Sequence, residues 1–301
     1  MKLRWWLGIG GLGVILAVLA LGLALLNNNV SIARPSRAEF EGSLEETIAR
    51  GTDWLLRQYR QSGEEDGATP EGRALVSNSA TAHMVVDSAS LSNDPRMKIL
   101  GSNFIEAWKA KASVMGKIVD PAIASNPPSD REIQRLEEYQ RWILYGAAPN
   151  EFPISPKELE DMFSPDRYRT GKATHQLFAL YFYRKSKGST PDLDGLLKKI
   201  EERIAWEASL DFRVTDLYLQ RLAFLLAAGR PDLIQPRWVE RALAAQQASG
   251  GWLENWHGWT RKPYRFSFRN ELPSAHSTAQ GMWIAHMLKY RYPEWIVENY
   301  R

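Results

Sequence analysis

Thr174–Gly188 reads THQLFALYFYRKSKG and Thr215–Gly229 reads TDLYLQRLAFLLAAG. The two stretches have the same Thr-to-Gly spacing and an apolar middle, and each glycine is soon followed by Pro-Asp-Leu, at 191–193 and 231–233. Threonine is a helix-start residue, glycine a helix-stop residue, and proline marks a chain that has left one helix and is opening the next. Similar text opens at Thr81-Ala82-His83 and Thr278-Ala279-Gln280, and those helices end before Pro95 and Pro293. Thr174 and Thr215 stand 41 residues apart, the length of a helix–turn–helix repeat. The longer interval from Thr81 to Thr174 accommodates two units, the hidden one being a helix over 130–145 that ends at Gly146.

Outward from these stretches the signals stay helical. Ser43 with Glu46, and Ser129 with Glu132, have the spacing of capping boxes. Ser155-Pro156 and Gln235-Pro236 place proline at a first helical position. The one alternating stretch that reads as a strand is Tyr264–Arg269. The expected fold class is therefore all-α. Helix pairs at this period have two physical solutions, a closed α/α toroid with inner helices ringed by outer ones, or an open helical solenoid. The inner helices should be the more apolar, as 217–226 is, and the outer ones charged on their free face, as 196–203 is.

The chain has 301 residues, no cysteine, and 38 Lys+Arg against 35 Asp+Glu, a net charge of +3. Setting aside Lys2 and Arg4, the excess of bases over acids falls from three to one, and most of the charge is mixed, so no nucleic-acid footprint is present. Without cysteine there are no disulfides, thiolate metal sites or cysteine nucleophiles. No P-loop, GxGxxG or GxSxG run occurs outside Gly8-Ile9-Gly10-Gly11, which lies in an apolar helix. No cofactor and no metal is expected.

Trp5–Leu26 is 22 residues without a charge, WWLGIGGLGVILAVLALGLALL. As a helix it would rise about 33 Å, enough for a hydrocarbon core of about 30 Å. Lys2 and Arg4 precede it, and paired tryptophans suit the lipid–water interface. The expected organisation is a cytoplasmic N-terminus at 1–4, a single-pass transmembrane anchor at 5–26, a polar linker at 27–42 and an extracytoplasmic helical domain at 43–301. The localisation is then the inner or plasma membrane, with the domain in the cell envelope. A cleaved signal peptide is the other reading of the same segment, against which stand the length of the apolar run and the lack of a small-residue cleavage site close behind it.

Arg241–Trp252, RALAAQQASGGW, resembles the QW-type repeat of the terpenoid cyclase and protein prenyltransferase α/α-toroid superfamily, with Trp54-Leu55-Leu56-Arg57-Gln58 to Ser62-Gly63 as a second, degraded copy. The likeness extends over the hairpin pattern from about 43 to 300 and implies a toroid. It carries no chemistry here. DxDD and DDxxD runs are missing, as are the cysteines a zinc-dependent prenyltransferase needs. Toroids that bind or cleave carbohydrates stay open.

In a toroid the inner helices begin at one mouth of the central cavity, where free N–H groups favour anions. Residues next to the repeated threonines are the candidates: His83, His175, Gln176 and Gln280 for ligand binding, Asp216 and His276 for acid–base chemistry. Each could equally serve as a helix-start partner or core residue. The segment 250–275 adds Trp252, Trp256 and Trp259, which can stack on sugar rings, Arg265 and Arg269, which can bind carboxylate or phosphate, and Glu271, a possible second carboxylate. The same tryptophans could instead plug the barrel, with the arginines stacked on them. Three functions follow as expectations: binding of an extended, anionic envelope ligand such as a glycan or a lipid head group; hydrolysis or lysis of such a polysaccharide through Asp216, Glu271 and His276; or a scaffold for envelope proteins.

Overall fold

The computed structural model of the chain describes residues 2–31, 33–62, 75, 77–126, 128–167, 172–254 and 272–301, with the backbone alone for 2–12, 61, 62 and 130. Helices account for nearly all regular structure. Among the described residues there is no strand, and Trp252 and Ser274 form an isolated antiparallel bridge.

In chain order the helices are α1 (Lys2–Asn29), α2 (Arg37–Ser62), α3 (Ser79–Leu91), α4 (Pro95–Lys111), α5 (Gly116–Val119), α6 (Asp130–Arg135), α7 (Glu138–Ala147), α8 (Pro156–Met162), α9 (Ala173–Lys187), α10 (Pro191–Leu210), α11 (Asp216–Ala228), α12 (Pro236–Ala244), α13 (Ala275–His286) and α14 (Pro293–Asn299). A 3-10 turn at Pro231–Leu233 and a π-turn at Met287–Arg291 join neighbours. The prolines at 95, 191 and 293 each open a helix, and Pro231 opens the 3-10 turn, as the repeat predicts. Gly188 and Gly229, at φ +86° and +89°, end α9 and α11 in a conformation that only glycine takes without strain.

The repeat packs as a ring. α3 lies against α13, α13 against α11, α11 against α9, α9 against α7, α7 against α5, and α5 returns to α3. α2, α4, α10 and α12 lie outside this ring. On α10, Leu193, Leu196, Leu197, Ile200, Ile204 and Ala208 are buried, a helical stripe facing α9 and α11, while Lys198, Lys199 and Glu202 face water. Burying each large aliphatic side chain stabilises the fold by about 1.5–3 kcal/mol. The centre of the ring is filled. Phe178 and Phe224 stack at 4.5 Å, Phe178 meets Phe182 at 4.7 Å, and the His83 ring sits 4.8 Å from Phe182 and 5.7 Å from Trp283. α3, α9, α11 and α13 thus meet in an aromatic core.

Several boundaries differ from the sequence reading, each for a local reason. Ser43 and Glu46 lie inside α2; the helix starts earlier because Ser36 and Glu39 make the reciprocal pair, with Ser36 N–H donating to Glu39 at 2.7 Å. The helix expected over 130–145 is two, α6 and α7, separated at Leu136, which is extended because Glu137 and Gln140 build a second capping box. Segment 27–42 is not a loose linker. Asn27–Asn29 continue α1 and bind the body of the protein, and α2 begins at Arg37. Tyr264–Arg269 lies outside the described residues.

α1 is a helix of 28 residues. Among the described residues no helix is long and apolar enough to cross a membrane. Side chains of α1 are described from Gly13 onward, and residues 13–26 alone rise about 21 Å, short of a core of about 30 Å.

Candidate functional site

The N-terminal ends of α3, α7, α9 and α13 open on one cavity of about 360 Å³, which α11 lines further along with Gln220 and Phe224. Its polar lining includes Asn78, the cap of α3, with Ser79 of α3, Gln140 of α7, His175 of α9, Gln220 of α11 and His276 of α13. Tyr139, Ile143, Phe178 and Phe224 provide apolar surface.

His276 is the best-held side chain at this mouth. Its Nδ1 is 3.0 Å from Thr81 Oγ1 and its Nε2 is 3.0 Å from Gln280 Nε2. With the Gln280 amide nitrogen donating, Nε2 accepts, and Nδ1 carries the proton that Thr81 receives. Asp216 Oδ1 lies 3.7 Å from His276 Nε2 and accepts a hydrogen bond from Ser277 Oγ at 3.3 Å. Asp216 is in turn fixed from its backbone, whose N–H donates to the Glu254 carbonyl at 2.9 Å. A protonated imidazole here would have a carboxylate beside it; a neutral one has both nitrogens engaged within the protein.

His175 lies 4.4 Å from the Tyr139 ring. Burial, then the charges of His276 and Lys172, push it down to about 4, so it is neutral near pH 7. Its Nδ1 and the Gln280 Oε1 are buried without a hydrogen-bond partner among the described residues.

The repeated threonines are not caps in three of four cases. Asn78 and Ser274 cap α3 and α13, and α9 starts after Lys172. Thr215 does occupy the cap position of α11 but makes no side-chain cap bond. The other three hydroxyls reach sideways instead. Thr81 meets His276, Thr174 donates to Gln220 Oε1 at 2.6 Å, and Thr278 Oγ1 accepts from the Trp252 N–H at 3.0 Å. Each ties one inner helix to a neighbouring segment.

Of the residues expected to form the site, His175 and His276 line the cavity, and Asp216 and Gln280 stand against His276. His83 does not. It is 4% exposed among aromatic rings, and burial pushes it down to about 4. Gln176 is buried and spends its amide on the carbonyls of Met162 and Ser164, which closes the loop after α8. Trp252 is a packing residue. Its indole N–H donates to Ala242 at 2.7 Å, and its ring occupies the space where a Cβ on Gly281 would stand. The QW-like stretch is likewise structural, since Gln246 donates to the carbonyls of Thr47 and Gly250. Trp256, Trp259, Arg265, Arg269 and Glu271 lie outside the described residues. Tyr218 and Arg221 of α11 are buried: Tyr218 binds Asn28, and Arg221 pairs with Glu207 and Asp211.

Asn78, Tyr139, Gln140 and Gln220 were not anticipated. Gln220 sits four residues after Asp216, on the same helix face. Tyr139 and Gln140 follow a helix break that the capping pair Glu137/Gln140 marks in the sequence. Among the described residues no group of three or more His, Cys, Asp or Glu is placed to hold a metal. No family model matches the chain, and no curated protein or solved structure is significantly similar to it.

Proposed function

We propose that the protein is a membrane-tethered α/α toroid whose mouth binds an extended, anionic glycan of the cell envelope. The observation that carries this reading is the meeting of four helix N-termini, those of α3, α7, α9 and α13, on one cavity lined by amide, hydroxyl and imidazole groups. Helix N-termini favour negative charge, and side-chain amides and hydroxyls match the hydroxyls of a sugar. Tyr139 supplies an aromatic surface for a sugar ring. The anchor is supported by the sequence Trp5–Leu26 and by exposed apolar side chains along α1, from Val14 at 65% to Leu26 at 55%. Lys2 and Arg4 before it orient the domain to the outer side.

Binding is preferred to turnover because both nitrogens of His276 are engaged within the protein, and Asp216 is the one carboxylate beside His276 among the described residues. A glycosidase needs two carboxylates at a fixed separation, and a lyase needs a free base.

The test is equilibrium binding of acidic oligosaccharides to the full chain in nanodiscs. His276→Ala should weaken binding about tenfold, some 1.4 kcal/mol. Equal affinity in the variant, or release of shortened sugar by the wild type, would overturn the binding reading.

A further inference from the structure

The C-terminal end of α1 is clamped to the body. Asn28 is fully buried; its amide donates to the carbonyls of Ala208 at 3.0 Å and Ser209 at 3.1 Å, and its Oδ1 accepts from Tyr218 and Arg241. Asn29 donates to the Ser209 carbonyl at 2.8 Å and accepts from the Trp238 indole at 3.1 Å. Arg237 of α12 donates to the Asn27 carbonyl at 2.9 Å. The body therefore cannot swing freely beneath α1, and the surface around Ser209 has a fixed height relative to Leu26, the last apolar residue of the helix.

On that surface α10 ends with two large apolar side chains facing solvent, Trp206 at 62% and Leu210 at 45% exposure. They are four residues apart and so share one face. Asn29 is three residues beyond Leu26, a rise of about 4.5 Å, and Trp206 is about one turn from Ser209, a further 5 Å. Both side chains thus lie within about two helical turns and one hydrogen-bonded step of the end of the apolar stretch, in reach of the head-group layer, where tryptophan is favoured.

We propose that Trp206 and Leu210 seat in the head-group layer of the bilayer beside α1, making the α10 end a second membrane contact that fixes how the mouth is held over the surface. This rests on α1 being a membrane anchor. The occupant is lipid because Ala208 and Ser209, between the two side chains, are hydrogen-bonded to Asn28 and Asn29 at the end of α1, whose sequence is uncharged from Trp5 to Leu26.

The absence of cysteine makes the test clean, since a single introduced thiol labels without background. Trp206→Cys, Leu19→Cys and Ile99→Cys are each made in the full chain, labelled with nitrobenzoxadiazole and placed in nanodiscs containing lipid nitroxides of shallow or deep position. Ile99, 60% exposed on α4, serves as the site away from α1. Position 206 should be quenched at least twofold by the shallow nitroxide, position 19 by the deep one, and position 99 by neither. Quenching at 19 without quenching at 206, or equal quenching at 206 and 99, overturns the second contact while leaving the anchor. No quenching at 19 overturns the anchor itself, and this inference with it.

Discussion

Thr81, Thr174 and Thr278 show how far a single residue type can be read. Their recurrence and helix-start position were visible in the chain. Their partners were not, because a hydroxyl that could cap its own helix can also bond across to another one, and only the packed ring decides between them. The histidines divide in the same way. All five were plain to see, but His83 and His286 are enclosed, and burial drives each down to about 4, from an ordinary value of 6.5. The sign follows from proton uptake. The unfolded chain binds these protons at higher pH than the fold does, so stability is fully present above about 6.5 and is lost as pH falls toward about 4. Each histidine contributes roughly 3 kcal/mol to that loss. His83→Phe, which keeps a ring in the aromatic core, should flatten the dependence. The check is urea unfolding at pH 7 and pH 4.5, with the wild type losing more stability between the two than the variant.

Among elements, the apolar inner helices and the proline-opened helices were legible, since periodicity and caps are local signals. Where two local signals competed, sequence alone could not choose: Ser36/Glu39 outranks Ser43/Glu46 because it stands first, and the helix once begun runs through the second pair. The three asparagines after the apolar run were the hardest to read. Polar residues next to a long apolar run look like a linker, and their docking depends on carbonyls 180 residues away. Asn28→Ala would leave the buried Tyr218 hydroxyl and Arg241 short of an acceptor, at about 2 kcal/mol. Thermal unfolding of the full chain in nanodiscs should then show a midpoint several degrees lower; an unchanged midpoint would mean that the asparagines bear no load.

At the scale of the molecule, an all-helical repeat protein was readable and its closure into a ring was not, because ring and solenoid share one hairpin pattern until the first and last inner helices meet. Here α3 and α13 do meet, and the contact Thr81–His276 at that seam is part of the mouth. The ring's centre was expected to be a cavity and is an aromatic core, since Phe178, Phe182, Phe224 and Trp283 are long enough to fill it, while the mouth stays open. The most direct measurement is histidine-selective acylation with diethyl pyrocarbonate, mapped by mass spectrometry with and without a saturating acidic glycan. His276, whose side chain is 30% exposed at the mouth, should be modified in the free protein and protected severalfold by the glycan, while buried His83 and His286 stay unmodified throughout. Modification of His276 at the same rate with glycan bound would contradict a site at the mouth.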